Sequence, residues 1–215
     1  PKWIATHILV IALIVVMVNL ATWQLDRHEA RKMFNATLVQ RFDAPIQPLE
    51  ELLQGAEPAD IEWLPTALKG TYLRGEDVSL VNVSQNGVAG YDAITPLLLD
   101  NGKVVLVNRG FLPLASAFPP APKGEVSLLG RIRATSERRT GAVSDPATGE
   151  LTDVQRIDID RLQQQIDGQL FPVYVQLLKS TPAETPSLSA IVDPEFGNGP
   201  HLSYTVQWLF FSLCA

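Results

Sequence analysis

From Glu29 to Pro200 the chain contains no histidine and no cysteine. That gap removes Ser-His-Asp and Cys-His catalysis, zinc-finger ligation and histidine-based copper sites from the chemistry of the central region. Cys214 is the only cysteine, so no intrachain disulfide can hold the fold and an apolar core must do so. Charge is scarce at both ends. Lys2 is the only charged residue before Asp26, and Leu202 to Ala215 carries none. The middle therefore holds 16 basic and all 23 acidic residues, a net charge of −7. Without a basic stripe it is a poor match for nucleic acid, because neutralising phosphates needs clustered Lys and Arg. The Arg138-Arg139 pair reads as part of a solvated loop. No GxGxxG or Walker pattern occurs, and Gly87-Val88-Ala89-Gly90 lacks the Lys and Ser/Thr that would hold phosphate and metal.

What the chain does have is an apolar run at each end. The first, Trp3 to Trp23, includes eleven consecutive apolar residues, Ile8 to Val18. Its flanking tryptophans are 20 residues apart, about 30 Å of helix, which matches the hydrocarbon thickness of a bilayer. An h-region of a signal peptide would also be this apolar, but the flanking tryptophans and full span favour a retained anchor. The closing run, Leu202 to Ala215, has 14 residues and stops in mid-pattern. It reads as the first part of a second transmembrane helix, and Pro1 in place of a methionine reads as an incomplete N-terminus. The expected architecture is an integral membrane protein with two transmembrane helices, the second truncated. They flank one mainly antiparallel β domain of α+β type. The expected boundaries are 1–24 for the first helix, 25–200 for the domain and 201–215 for the start of the second helix. Charge alone leaves the side of the membrane open: Lys2 stands against Arg27, Arg31 and Lys32 across the first segment, with the residues before Pro1 uncounted.

Within the domain, Gln24, Arg27, His28 and Arg31 recur at i, i+3, i+4 and i+7, so the first helix should run on past the bilayer and end before Pro45. A short helix near Pro48 should stop at Gly55. Leu97 to Leu99 and Val104 to Val107 flank Asn101-Gly102, the sequence of a hairpin with a type I′ turn. Further strands are expected over 68–73, 78–83, 126–134 and 173–178. Residues 135–150 read as a long exposed loop, and 160–166 as one short helix stopped by Gly168. Asp158 and Asp160 would share one side of a strand, as a solvated face rather than a catalytic pair. Residues 181–200, with four prolines, read as a semi-rigid connector back to the membrane.

The three histidines, His7, His28 and His201, all lie in or beside the membrane segments. His201, Tyr204, Thr205 and Trp208 fall on one helical stripe, and Trp23 and His28 mark the exit of the first anchor on the same membrane face. Two readings stand. Tyr204, Trp23 and Trp208 suffice as an interfacial aromatic belt, with His201 as a helix-start residue. Alternatively His201 offers a neutral imidazole to a metal cofactor, with the aromatics against a flat macrocycle; an interfacial histidine is a reasonable haem-iron ligand, though it fixes only one axial position.

Four stretches resemble one family. Ala21-Thr22-Trp23-Gln24-Leu25-Asp26-Arg27 resembles the Gly-x-Trp-Gln-x-x-Arg motif of the Surfeit locus cytochrome c oxidase assembly family. Val105 to Pro113 resembles its Val-Asn-Arg-Gly-Trp-Val-Pro strand and turn, with Phe111 at the tryptophan position. Gly130-Arg131-Ile132-Arg133 resembles its Gly-x-hydrophobic-Arg strand, and His201 to Trp208 its His-Leu-x-Tyr-x-x-x-Trp helix start. Ala21 stands where glycine is usual, which bears on how closely the two helices pack.

The resemblance implies a bacterial cell-membrane protein, multi-pass, whose main domain is extracytoplasmic. It implies a non-enzymatic factor that assists delivery or insertion of haem a into subunit I of a haem-copper cytochrome c oxidase. Its partners would be the oxidase subunits, the lipid bilayer and, in a variant of this role, a respiratory supercomplex. His201 would coordinate a transiently held haem a. Tyr204 and Trp208 would line the porphyrin, and Trp23, Gln24 and Arg27 would complete the mouth, with Arg27 on a propionate. Two other roles fit the sequence: a structural subunit kept in the mature oxidase, or a two-anchor extracytoplasmic sensor with an output domain beyond Ala215.

Overall fold

The computed structural model describes residues 2–135, 141 and 143–215, and the chain divides into two compact units. One spans Arg41–Asp193; the other joins the chain up to Gln40 with the chain from Pro194 onward. Arg138-Arg139 and the centre of the expected 135–150 loop lie outside the described residues.

The first unit is built on a closed ring of five strands. β2 (Pro65–Tyr72) pairs with β6 (Glu125–Ala134), β6 with β8 (Gln169–Thr181), and β8 with β5 (Lys103–Pro113). β5 then pairs with β4 (Val88–Leu99), and β4 returns to β2. Only the β5–β8 contact in this ring is parallel. β4 closes the ring because it changes neighbour along its length. Ile94 to Val88 pair with β3 (Val78–Gln85), whereas Leu97 to Leu99 pair with β2. Pro96 sits at the switch. Its carbonyl accepts from Leu73 N on that same edge, so its missing N–H costs no ladder bond there.

Two short strands complete the unit's sheet: β1 (Gln47–Pro48) beside β2, and β7 (Asp153–Val154) beside β3. The short helix α2 (Leu49–Leu52) follows β1 as its sequence suggests.

Strand alternation sorts the core into two layers. Leu68, Tyr72, Leu97, Val105, Val107, Leu128, Val173 and Val175 belong to one buried cluster. Val104, Leu106, Ile94 and Tyr174 belong to another, covered by residues 151–166. This is why β5 reads as a continuous apolar run: both of its faces are buried. The helix expected over 160–166 is a single turn, α3 (Ile159–Leu162), and Asp158 is its N-cap, accepting from Arg161 N at 3.1 Å. Asp158 and Asp160 are therefore not a strand pair.

The hairpin over 97–107 forms, but not through a type I′ turn. That turn needs positive φ at both central residues, and here only Gly102 has it. Gly102 N donates to Leu99 O at 2.9 Å and the Asn101 side chain accepts from Lys103 N, a three-residue loop ending in a left-handed glycine. The two-residue Asn-Gly connection lies elsewhere, at Asn86-Gly87 between β3 and β4, with φ of 52° and 78°.

The second unit consists of helix α1 (Lys2–Phe42) up to Gln40, the chain from Pro194, and helix α4 (His201–Cys214). The expected anchor and its polar extension are one continuous 41-residue helix. Among the described residues it is the one helix long and apolar enough to cross a membrane. α4 has 14 residues. Along α1 the less exposed positions, Leu20 apart, step by four and three: Val10, Ile14, Met17, Ala21, Gln24, His28, Arg31, Asn35 and Leu38. His201, Thr205, Trp208 and Ser212 repeat that spacing on α4. Both patterns mark the sides on which α1 and α4 face each other, a seam joined by Gln24 and His201. Ala21 and Thr205, each almost fully buried, are its small residues, the kind that lets two helices approach closely.

Candidate functional site

The polar part of this seam is the candidate site. Partners run in antiparallel order along α1. Asn35 Nδ2 donates to Phe196 O at 2.8 Å and to Asn198 Oδ1 at 3.1 Å. One turn earlier, Arg31 donates to the carbonyls of Glu195 and Gly197. Gln24, two turns earlier than Arg31, meets His201 with Oε1 2.9 Å from Nδ1. Between these levels lies His28, whose Nδ1 is closed off from solvent and has no hydrogen-bond partner among the described residues.

The Gln24 contact bears on the tautomer of His201. With the carboxamide oxygen as acceptor, Nδ1–H donates, and in that tautomer the lone pair is on Nε2. Gly199 (φ +66°) lies against that edge: a Cβ there would come within 3.3 Å of Nε2 and 3.2 Å of Cδ2. A side chain at residue 199 would therefore crowd the ring, and glycine lets the backbone pass close to it. An imidazole held through one ring nitrogen by an outer hydrogen bond is the arrangement of many metal-ligating histidines. His201 alone would offer one nitrogen to a metal centre. Among the described residues no group of three or more His, Cys, Asp or Glu is placed to hold a metal ion without a macrocycle.

The remaining residues singled out by the sequence divide. Trp208 sits on the seam, edge-on to Phe211 at 6.2 Å between ring centroids. Trp23 and Arg27 are not in the seam; the guanidinium stacks 5.5 Å from the Trp23 ring centroid, and both are exposed. Tyr204 is also exposed. Trp23, Arg27 and Tyr204 each precede a seam position by one residue (Gln24, His28 and Thr205). In an antiparallel pair of right-handed helices, such positions lie on the same flank. Phe34 and Phe211 share it, preceding Asn35 and Ser212. The opposite flank carries Val15, Val18, Leu25, Leu202, Val206, Leu209 and Leu213, with the polar Thr22, Glu29 and Lys32 at the same positions of α1. The aromatic residues and Arg27 therefore share one side of the pair.

The barrel unit holds two buried polar clusters that sequence reasoning did not place. Arg109 lies wholly inside, with Nε to both carboxylate oxygens of Glu184 and Nη2 to Oε2 at 2.7 Å. Nη1 and Nη2 also donate to the carbonyls of Pro119 and Pro120, and Tyr72 stacks 5.6 Å away. Burial and the Glu184 charge push the Tyr72 phenol up, out of titration range. On the other face of β5, Asn108 Nδ2 donates to Asp92 Oδ2 at 2.8 Å. Burial raises the Asp92 carboxyl to about 6, against the Asn108 bond, which lowers it. These clusters are structural. Their only sequence signal was the Asn108-Arg109-Gly110 run, polar residues inside an otherwise apolar strand.

The chain matches the SURF1 family over residues 11–213. A SURF1-like protein of Mycobacterium tuberculosis is 28% identical over the whole chain and 81% of its own length. Surfeit locus protein 1 of Xenopus tropicalis is 22% identical, covering 92% of the chain and 68% of that protein. The human Surfeit locus protein 1 is 26% identical over 56% of the chain and 47% of its own length.

Proposed function

The chain belongs to the SURF1 family, and on that premise we propose that it is a non-enzymatic, membrane-anchored assembly factor of haem-copper cytochrome c oxidase. It holds haem a transiently as cargo on its way to subunit I. α4 continues into the membrane beside α1, in a bacterial cell membrane, with the barrel on the extracytoplasmic side. The observation that carries the reading is the Gln24–His201 hydrogen bond, which engages Nδ1 and leaves Nε2 as the ring nitrogen able to ligate. When bound, the haem would supply an iron that accepts a nitrogen donor. The chain's own residues do the rest. His201 donates the nitrogen, and Gln24 fixes its tautomer and ring angle. Trp208 packs the seam behind His201. On the aromatic flank, Trp23 and Tyr204 offer flat apolar surface, and Arg27 offers a donor fork suited to a carboxylate.

Purification from a host that makes haem a tests this. The unaltered protein is expected to carry a haem spectrum that His201→Ala loses; an unchanged spectrum in that variant overturns the assignment of the ligand.

A second reading draws on the seam itself. Ala21 and Thr205 are buried in helix packing with no need of a ligand, which suits a structural subunit retained in the oxidase or a respiratory supercomplex. Stoichiometric co-purification with the mature oxidase, free of extra haem, selects it.

A further inference from the structure

We infer that His28 is a second nitrogen donor of the His201 site, so that the seam binds a transition-metal centre through two imidazoles. The helix ladder places His28 one turn along α1 from Gln24, which holds His201 at 2.9 Å. The next level, Arg31, is already joined to Gly197. Between these two levels the opposing chain runs through Gly199-Pro200, neither of which has a polar side chain. Gly199 borders the His201 ring edge that carries the free nitrogen. The His28 Nδ1 atom is sealed from water in this same seam without any protein partner. A buried polar nitrogen left unpaired costs free energy on the order of 1–3 kcal/mol. A bound ligand would remove that cost.

Two neutral imidazoles suit copper, zinc, nickel or iron. The iron of a bound haem and a bare divalent ion share this chemistry. Only the haem source rests on the function proposed above.

The full chain, purified in detergent with a tag free of histidine, is titrated in two arms. In the first, Cu(II) is followed by electron paramagnetic resonance, which reads the number of coordinating nitrogens. Two are expected. His28→Ala and His201→Ala each reduce them to one and weaken binding roughly 10-fold or more, as loss of a contact that orients a metal does at the least. In the second arm, ferric haem is added. A low-spin spectrum that turns high-spin in His28→Ala, and is restored by free imidazole, identifies haem iron as the centre. His28→Gln, which preserves a polar side chain of similar reach, must behave like His28→Ala. If His28→Ala leaves both the copper signal and the haem spin state unchanged, the inference is overturned while the haem reading stands. If haem does not bind the unaltered chain but two-nitrogen copper binding depends on His28, the haem reading falls and the site remains.

Discussion

Arg109 and Glu184 form a buried, forked ion pair at 2.7 Å that ties the connector after β8 to the barrel strand β5. Further along the connector, Ser189 exchanges two backbone hydrogen bonds with Phe111, Ala190 accepts from Gln85, and Asp193 pairs with Arg131. The segment expected to be a semi-rigid connector is strapped to the barrel as far as Asp193. Removing one partner of such a pair strands the other charge in a dry site.

Arg109→Ala is therefore expected to lower stability by about 3–5 kcal/mol. Denaturant titration of the detergent-solubilised chain, followed by tryptophan fluorescence, measures it. Because the two residues act as a unit, the Arg109→Ala/Glu184→Ala double variant should lose clearly less than the sum of the singles. Additive losses would mean that the pair contributes through packing alone.

Asp92 gives a pH signature. Burial lifts its carboxyl to about 6 in the fold, against an ordinary value near 3.9 in the unfolded chain. Between roughly pH 4 and 6 the native state keeps a proton that the unfolded state releases, so stability falls as pH rises through this window and levels off above it. Asp92→Asn keeps an acceptor for Asn108 Nδ2 without the charge. It should be more stable than the unaltered protein at neutral pH, by on the order of 2 kcal/mol. It should show no gain at pH 4 and a flatter profile between. A variant curve parallel to that of the unaltered protein would show that Asp92 does not titrate in this range.

Local patterns carried most of the strands, because alternation and apolar runs follow from one or two neighbours in sequence. The ring's closure did not, since it rests on β4 exchanging β3 for β2 at Pro96, a relation between residues more than 20 apart. The turn at 99–102 was misassigned for a similar reason. The pair Asn101-Gly102 matched type I′, but the Asn101 side chain bonds to Lys103 N and Glu50, and its backbone stays out of the left-handed region. At the candidate site, His201 stood out by composition. Its partner Gln24 is visible only as part of a motif and of the polar face of α1, since a hydrogen bond across 177 positions leaves no local trace. His28 was visible at the membrane boundary, but its unpaired nitrogen needed the seam.

Gly130, the first residue of the Gly-x-hydrophobic-Arg strand, is fixed by close packing. A Cβ there would meet Val175 Cγ1 at 2.3 Å and the Gln176 carbonyl oxygen at 2.7 Å. Val175 belongs to the barrel core and cannot swing aside without opening it. Gly130→Ala should therefore destabilise by about 1–3 kcal/mol, the range of overpacking. The same denaturation assay reads it. Adding Val175→Ala should recover part of the loss, since it removes the colliding methyl group; no recovery would place the strain at the Gln176 carbonyl.

Gln24 separates orientation from ligation. Its oxygen accepts the His201 Nδ1 proton and leaves Nε2 free. Gln24→Ala removes that acceptor without touching the donor atom. Haem affinity of the purified chain should fall about 10- to 100-fold, the usual effect of losing a histidine's outer partner. The denaturation profile of the barrel, which lies in the other unit, should not change. Gln24→Glu keeps an acceptor and makes it anionic, which raises the donor strength of Nε2. Its affinity should match or exceed that of the unaltered chain, with a lowered reduction potential of the bound iron. Gln24→Ala binding haem as the unaltered protein does would mean that the hydrogen bond merely holds two helices together. The ligand role of His201 would then rest on the histidine variants alone.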